Sequence, residues 1–187
     1  MVKYKEHLTL AGITSIVCIK ASINLGLPGN LNRTFPDIKP SVRPVAPSIK
    51  RIDPNWLAGF VSAEGNFFIN IINSNNIVGK QVILMFSISQ HSRDAGLLRT
   101  ICNFLGCGKY YSRTNQDEGY ITVTKFSEID LKIIPLFKQY PIIGVKYLDF
   151  SEFSKVMDII KVKEHLIKEG LAKIEKIKSG MNTKRVP

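Results

Sequence analysis

Apolar residues change their spacing repeatedly along this chain, and each change marks a new element. Over residues 53–65, Trp56, Leu57, Phe60 and Val61 recur at helical intervals; from 66 onward Phe67, Ile69 and Ile71 alternate with Asn66, Phe68, Asn70 and Ile72. The first pattern predicts a helix and the second a strand with one buried face. Ser74-Asn75-Asn76 and Gly79 mark a turn, after which Val82, Leu84, Phe86 and Ile88 alternate with Gln81, Ile83, Met85, Ser87 and Ser89. This completes a long hairpin. Leu97, Leu98, Ile101, Cys102 and Leu105 then return to helical spacing from Asp94, and Gly106 stops it. In a second hairpin, Lys109, Tyr111 and Arg113 alternate with Tyr110 and Ser112. Beyond a turn at Asn115 to Gly119, Tyr120, Thr122 and Thr124 alternate with Ile121 and Val123. Helices close the chain: Ser127 to about Tyr140, with Ser127 and Asp130 as a box-like cap, then amphipathic segments at Tyr147 to Lys161 and Ile167 to Met181. The order predicts an α+β layer in which helices cover one face of an antiparallel sheet and the other stays open.

The helix at 53–65 carries the chemistry. Asp53 is a good N-cap, Pro54 suits the first helical position, where no N–H is needed, and Gly65 predicts the C-terminal stop. Ala58, Gly59, Ser62 and Ala63 fall at i, i+1, i+4 and i+5, a face with almost no side chain, so a second helix can come very close. With Trp56, Leu57, Phe60 and Val61 on the other sides, the pattern predicts burial nearly all round. Glu64 then places a carboxylate at the negative end of the helix macrodipole. Two readings follow: a solvated helix end, or an acid neutralised by a divalent metal shared with a carboxylate from a second close-packed helix.

An internal repeat organises the remainder. Lys5-Glu6-His7-Leu8 through Asn24 realigns on Lys163-Glu164-His165-Leu166 through Asn182 at a constant offset of 158 (163 − 5), matching also at Gly12/Gly170, Ile16/Ile174, Ile19/Ile177 and Lys20/Lys178. The basic stretch near the N-terminus therefore reads as a terminal helical element rather than a targeting peptide. The same offset puts a first copy of the 53–65 helix about a hundred residues before Met1 (57 − 158 = −101). The expected organisation is 1–24, the vestigial terminal helix of a lost first repeat; 25–52, a linker; and 53–187, the main domain. Pro28, Pro36, Pro40, Pro44, Pro47 and Pro54 leave no room in the linker for a helix or strand of useful length. Its Lys39, Arg43, Lys50 and Arg51 are candidate phosphate contacts or simply solubilising charges.

Charge narrows the partner. Lys and Arg outnumber Asp and Glu 26 to 15, a net +11, which points to a polyanion, nucleic acid first. No run of about 20 apolar residues occurs, so no membrane partner is expected. Cys18, Cys102 and Cys107 are odd in number and lack metal-ligand spacing, which argues against a disulfide framework or a zinc site and for a reduced, intracellular protein. The open sheet face would carry Asn66, Phe68, Asn70, Ile72, Gln81, Ile83, Met85, Ser87 and Ser89 from the first hairpin. The second adds Lys109, Tyr111, Arg113, Tyr120, Thr122 and Thr124. Amides pair with adenine and Arg or Lys with guanine in the major groove, so a face of this composition suits base readout; a partner protein is the competing occupant.

Leu57-Ala58-Gly59-Phe60-Val61-Ser62-Ala63-Glu64-Gly65, continued by Asn66-Phe67-Phe68-Ile69, resembles the signature of the LAGLIDADG homing endonucleases. The likeness runs from about Asp53 to the C-terminus. Residues 1–50 resemble the segment before the second motif in two-motif members from fungal mitochondrial introns. The resemblance implies an αββαββα fold with a saddle-shaped sheet straddling double-stranded DNA, phosphodiester hydrolysis with Mg²⁺, and a mitochondrial setting. It implies Glu64 as metal ligand and catalytic acid, Gln90 orienting a water at the metal, and Lys146 stabilising charge at the scissile phosphate. His91 and Arg93 are weaker candidates for phosphate contacts. Such chemistry needs two motif acids and this chain offers one, so a second half is expected: another copy, a separately encoded N-terminal half, or the remainder of a longer enzyme. Two other roles remain open for such a fold: an intron RNA splicing maturase, and a non-catalytic nucleic-acid-binding subunit.

Overall fold

In the computed structural model, residues 3–23, 26–42 and 51–182 are described. The chain divides into two units, Met1–Pro47 and Ser48–Pro187.

The first unit holds helix α1 (Leu10–Ser22), capped by the Thr9 hydroxyl, which accepts the Gly12 N–H, and a short helix α2 (Gly29–Thr34). The second of these departs from expectation: Pro28 stands directly before the helix, where a proline needs no N–H partner, so the prolines flank a helical turn instead of abolishing it. Arg43 and Lys50 lie outside the described residues, while Lys39 and Arg51 are exposed. Among the described residues no helix is long and apolar enough to cross a membrane.

The second unit is the single-sheet layer. Helix α3 (Pro54–Glu64) leads directly into β1 (Gly65–Asn73), which pairs with β2 (Lys80–His91). Helix α4 (Ala95–Leu105) crosses to β3 (Lys109–Ser112) and β4 (Glu118–Val123), giving an antiparallel sheet in the order β1-β2-β4-β3. A helical run α5 (126–139), then α6 (Val145–Lys161) and α7 (Lys168–Ser179), complete the unit. The alternation read from the sequence sets the faces: Phe67, Ile69, Leu84, Phe86, Ile88, Ile121 and Val123 are all buried. Phe67 gathers Phe86, Phe137, Phe150 and Phe153 at ring-centroid distances of 5.2, 6.1, 5.3 and 5.3 Å, an aromatic centre that binds sheet to helices.

Two local expectations change. Ser127 and Asp130 do not cap the 126–139 run, whose N-cap is Lys125 without a side-chain bond; Asp130 pairs instead with Lys161 at 3.0 Å. Inside the run Ile129–Ile133 opens into a π-turn just before Pro135, which lacks an N–H and would press its ring against the carbonyl four residues back. Gly65 ends α3 without a left-handed turn: its φ is −76° and its ψ 155°. The glycine is needed for closeness, since a Cβ there would lie 2.5 Å from Val61 Cγ1 and 2.6 Å from the Val61 carbonyl oxygen.

Candidate nucleic-acid interface and acidic cleft

Helix α3 starts as its sequence dictates, with the Asp53 carboxylate accepting the Trp56 N–H at 2.9 Å. It is not buried all round. Leu57, Ala58 and Val61 are in the core, whereas Trp56, Gly59, Ala63 and Glu64 are exposed, and no atom lies within 4 Å of a Cβ built on Gly59. The bare face expected from Ala58, Gly59, Ser62 and Ala63 is therefore rotated. Gly59 and Ala63 remain on it, flanked by the stacked rings of Trp56 and Phe60, 5.1 Å apart, because Ala58 fills the chain's own core. Ser62 is also occupied: its hydroxyl donates to the Ala58 carbonyl (2.7 Å) and accepts the Ile143 N–H (2.9 Å).

That last bond builds the site. It ties the loop before α6 to the motif helix, and Gly144, at φ 76°, turns the chain into α6 so that Lys146 sits in its first turn. Glu64 and Lys146 line one open cleft of about 760 Å³, with Ser62, Ala63, Gly65, Asn66, Phe68, Asp149 and Asn182. Glu64 stands at the negative end of α3 and Lys146 at the positive end of α6, each disfavoured by its own helix and favoured by the other's. Among the described residues neither is in an ion pair, so both charges remain available to a ligand in the cleft. Buried Asp149 and half-buried Asn182 brace the wall: Asp149 accepts the Asn182 N–H at 3.0 Å, and the Asn182 side chain donates to the Phe67 carbonyl at 3.3 Å. Sequence reasoning passed over both, although Asn182 was one of the matched positions of the repeat. Gln90 does not line this cleft. It lies near the end of β2, paired with Gly119 and two residues beyond buried Ile88, the register partner of Gly65, and so shares the helix-covered face of the strand. His91 and Arg93 are exposed and bonded locally, His91 Nδ1 accepting the Arg93 N–H.

No group of three or more His, Cys, Asp or Glu side chains that could hold a metal occurs among the described residues. Glu64 is nonetheless the right kind of donor, a hard carboxylate oxygen open to the cleft, and it fits one side of a shared cation site rather than a complete one.

On the open sheet face the register assembles the expected residues into rows. Asn66 pairs with Ser87, Ser87 with Thr122 and Thr122 with Lys109; Phe68 pairs with Met85, Asn70 with Ile83 and Ile72 with Gln81; Ser89 pairs with Tyr120 and Tyr120 with Tyr111. Phe68 and Ile72 remain 37% and 39% exposed and add apolar surface to the row of amides. Tyr111 stacks on Tyr120 at 5.4 Å. Arg113 and Thr124 lie just past the strand ends. The Arg113 guanidinium is engaged, 3.3 Å from Glu118 and over the Tyr120 ring, so it offers less uncompensated charge than its sequence position suggested.

The architecture is that of LAGLIDADG homing endonucleases. I-LtrWI bound to target DNA superposes with a TM-score of 0.94 at 43% identity, and I-SmaMI bound to cleaved DNA with 0.94 at 45%; each match covers 99% of this chain and 62% of the other. Residues 57–157 match the family described as LAGLIDADG endonuclease, and the chain belongs to that family. Curated relatives include the probable intron-encoded endonucleases 3 and 2 of Neurospora crassa. Both are 38% identical, over 93% and 94% of this chain but 33% and 40% of their own lengths. The chain thus spans less than half of those relatives and about three-fifths of the solved ones.

Proposed function

We propose that this chain forms part of a site-specific double-stranded DNA endonuclease of the homing type, acting with a second LAGLIDADG half. The observation that carries the reading is the exposed Glu64 at the tip of a helix whose Gly59/Ala63 face is open, in one cleft with Lys146. The similar I-SmaMI was solved on uncleaved DNA target in the presence of calcium ions, which supports a divalent metal in this role; Mg²⁺ is the proposed physiological ion. Glu64 would hold it together with an acid from the other half. When bound, the ion supplies Lewis-acid stabilisation of the attacking and leaving oxygens.

The chain's own contribution is placement and charge. Lys146 sets a positive charge beside the developing negative charge at phosphorus, and the Ser62–Ile143 bond keeps its helix start in register with Glu64. Gln90, near the end of β2 and outside the cleft lining, would orient the attacking water. Asn66, Asn70, Gln81 and Lys109 read base edges, the Tyr111–Tyr120 stack and Phe68, Ile72, Ile83 and Met85 supply apolar contacts to bases, and Ser87, Ser89 and Thr124 supply hydroxyls, whereas the Thr122 Oγ1 is buried and offers none. The intron-borne relatives support a mitochondrial setting.

The test is Glu64→Gln in the assembled two-half protein. Mg²⁺-dependent cleavage falls on the order of 10²–10⁴-fold while site-specific binding persists; undiminished cutting sinks the mechanism. Affinity measured against salt gives a steep negative log-log slope if the saddle holds phosphates, and a slope near zero removes nucleic acid as the ligand.

A further inference from the structure

Helix α6 carries a stripe on a flank that the acidic cleft does not use. Tyr147, Ser151, Ser154 and Asp158 recur at i, i+4, i+7 and i+11 and stand along a groove of about 660 Å³ between α6 and the end of α5. The stripe runs about 16 Å (158 − 147 = 11 residues at about 1.5 Å each). Buried Phe137, Ile142 and Phe150 form the floor. The chain itself fixes both ends: the Ser62 hydroxyl accepts the Ile143 N–H at 2.9 Å where the loop enters, and Asp130 pairs with Lys161 at 3.0 Å just past Asp158. The groove is therefore preformed, and its volume falls within the range of small-molecule sites, about 300–1,000 Å³.

Its hydroxyls are unusual for this molecule. Ser and Thr on helices commonly return to their own backbone, and Ser62, Thr100 and Ser179 do so, donating to the carbonyls of Ala58, Gly96 and Lys176. Ser151 and Ser154 do not. Among the described residues neither hydroxyl has a hydrogen-bond partner, although Ser154 is only 8% exposed and shares the groove with Phe137 and Phe150. A hydroxyl so placed forgoes a bond unless something in the groove supplies the partner.

The rim adds charge. Lys155 is held by Glu152 at 3.0 Å, whereas Lys138 and Asp158 are in no ion pair among the described residues. Counting from the Asp130–Lys161 pair along two antiparallel helices sets Lys138 about level with residue 153 (130 + 8 against 161 − 8), beside Ser154 and more than a turn from Asp158. The free cation and the buried free hydroxyl thus lie together over an apolar floor.

We propose that this groove binds a small molecule with a flat apolar body and a carboxylate. The body lies over Phe137, Ile142 and Phe150 with Tyr147 along it, Ser151 and Ser154 donate to the carboxylate, and Lys138 balances its charge. The site uses neither Glu64 nor Lys146 and stands apart from the nuclease reading.

The probe is 2-naphthoate, titrated into the isotope-labelled full chain and followed by NMR at backbone amides and isoleucine methyls. One saturable set of shifts centred on Ile142, Ile143, Ser151 and Ser154 is expected, with 2-naphthylmethylammonium binding at least about tenfold more weakly. Lys138→Glu should weaken naphthoate at least about tenfold and Ser154→Val by about three- to tenfold. Lys168→Glu, the same change of charge at an exposed site on α7, should leave it unaltered. Shifts that fail to saturate or that scatter beyond the groove overturn the proposal, as do a cation bound as tightly as the carboxylate and equal losses in Lys138→Glu and Lys168→Glu. Should Ser154→Val melt well below the parent, exposed Lys138 carries the test alone. No DNA enters the measurement, so the cleavage result for Glu64→Gln decides the nuclease mechanism and leaves this one untouched.

Discussion

Two glycines of the motif helix respond to the same substitution with opposite signs. At Gly65 an added Cβ meets Val61 Cγ1 at 2.5 Å and the Val61 carbonyl oxygen at 2.6 Å. Ordinary contact at about 3.4 Å or more requires Val61 and Gly65 to separate by roughly 0.8 Å. Val61 is fully buried, and its carbonyl accepts the Gly65 N–H that ends the helix, so the separation strains the core and stretches a backbone bond together. Overpacking of this kind costs about 1–3 kcal/mol. Because Gly65 has φ −76°, alanine fits the backbone, and the lower entropy of the unfolded chain returns about 0.4–1 kcal/mol. Gly65→Ala is therefore destabilising by about 1 kcal/mol, and at most about 2.6 kcal/mol, a drop in Tm of about 2–4 °C for the central value in a unit of this size. Gly59 lies in the helix interior with nothing near its would-be Cβ, so Gly59→Ala raises stability by about 0.5–1 kcal/mol and Tm by about 2–3 °C. Thermal melts of the isolated chain followed by circular dichroism read both. A Gly65→Ala protein melting at or above the parent, with Gly59→Ala at or below it, would refute this account of the motif helix.

Cys107 and His165 give chemical tests of the same packing. Burial, with Glu128 adding to it, pushes the Cys107 thiol up to about 11 from an ordinary value of 9.0, so at neutral pH it holds about a hundredfold less thiolate than an ordinary cysteine. Native-state alkylation followed by mass spectrometry should find it correspondingly slow, and rapid labelling would contradict its burial. For His165, burial lowers the imidazole below its usual 6.5. The unfolded chain then binds more protons than the folded one between the two values, so this contribution is present above about pH 6.5 and is lost as pH falls through the lower, folded value. Melts between about pH 7.5 and about pH 5.5 should show the loss, and His165→Gln should flatten it; an unchanged slope in that variant rejects the assignment.

Much of this molecule is legible in one dimension because its causes are local. Alternation assigned Phe67, Ile69, Leu84, Phe86 and Ile88 to the core and their neighbours to the open face, since successive strand residues must point to opposite sides. Asp53 and Pro54 announced the start of α3, and a constant offset exposed the duplicated terminal helix. The site needed folding to appear. Periodicity shows that a helix has faces, but which face is covered depends on segments far along the chain: Ala58 went inward, and Ser62 found a partner 81 residues away in Ile143. Asp149 and Asn182 became walls of the cleft through bonds spanning 33 and 115 residues, which no window of sequence contains. Residue type and spacing set the elements and their polarity; the meeting of a carboxylate at one helix end with a lysine at another is long-range packing, settled only when the whole layer closes.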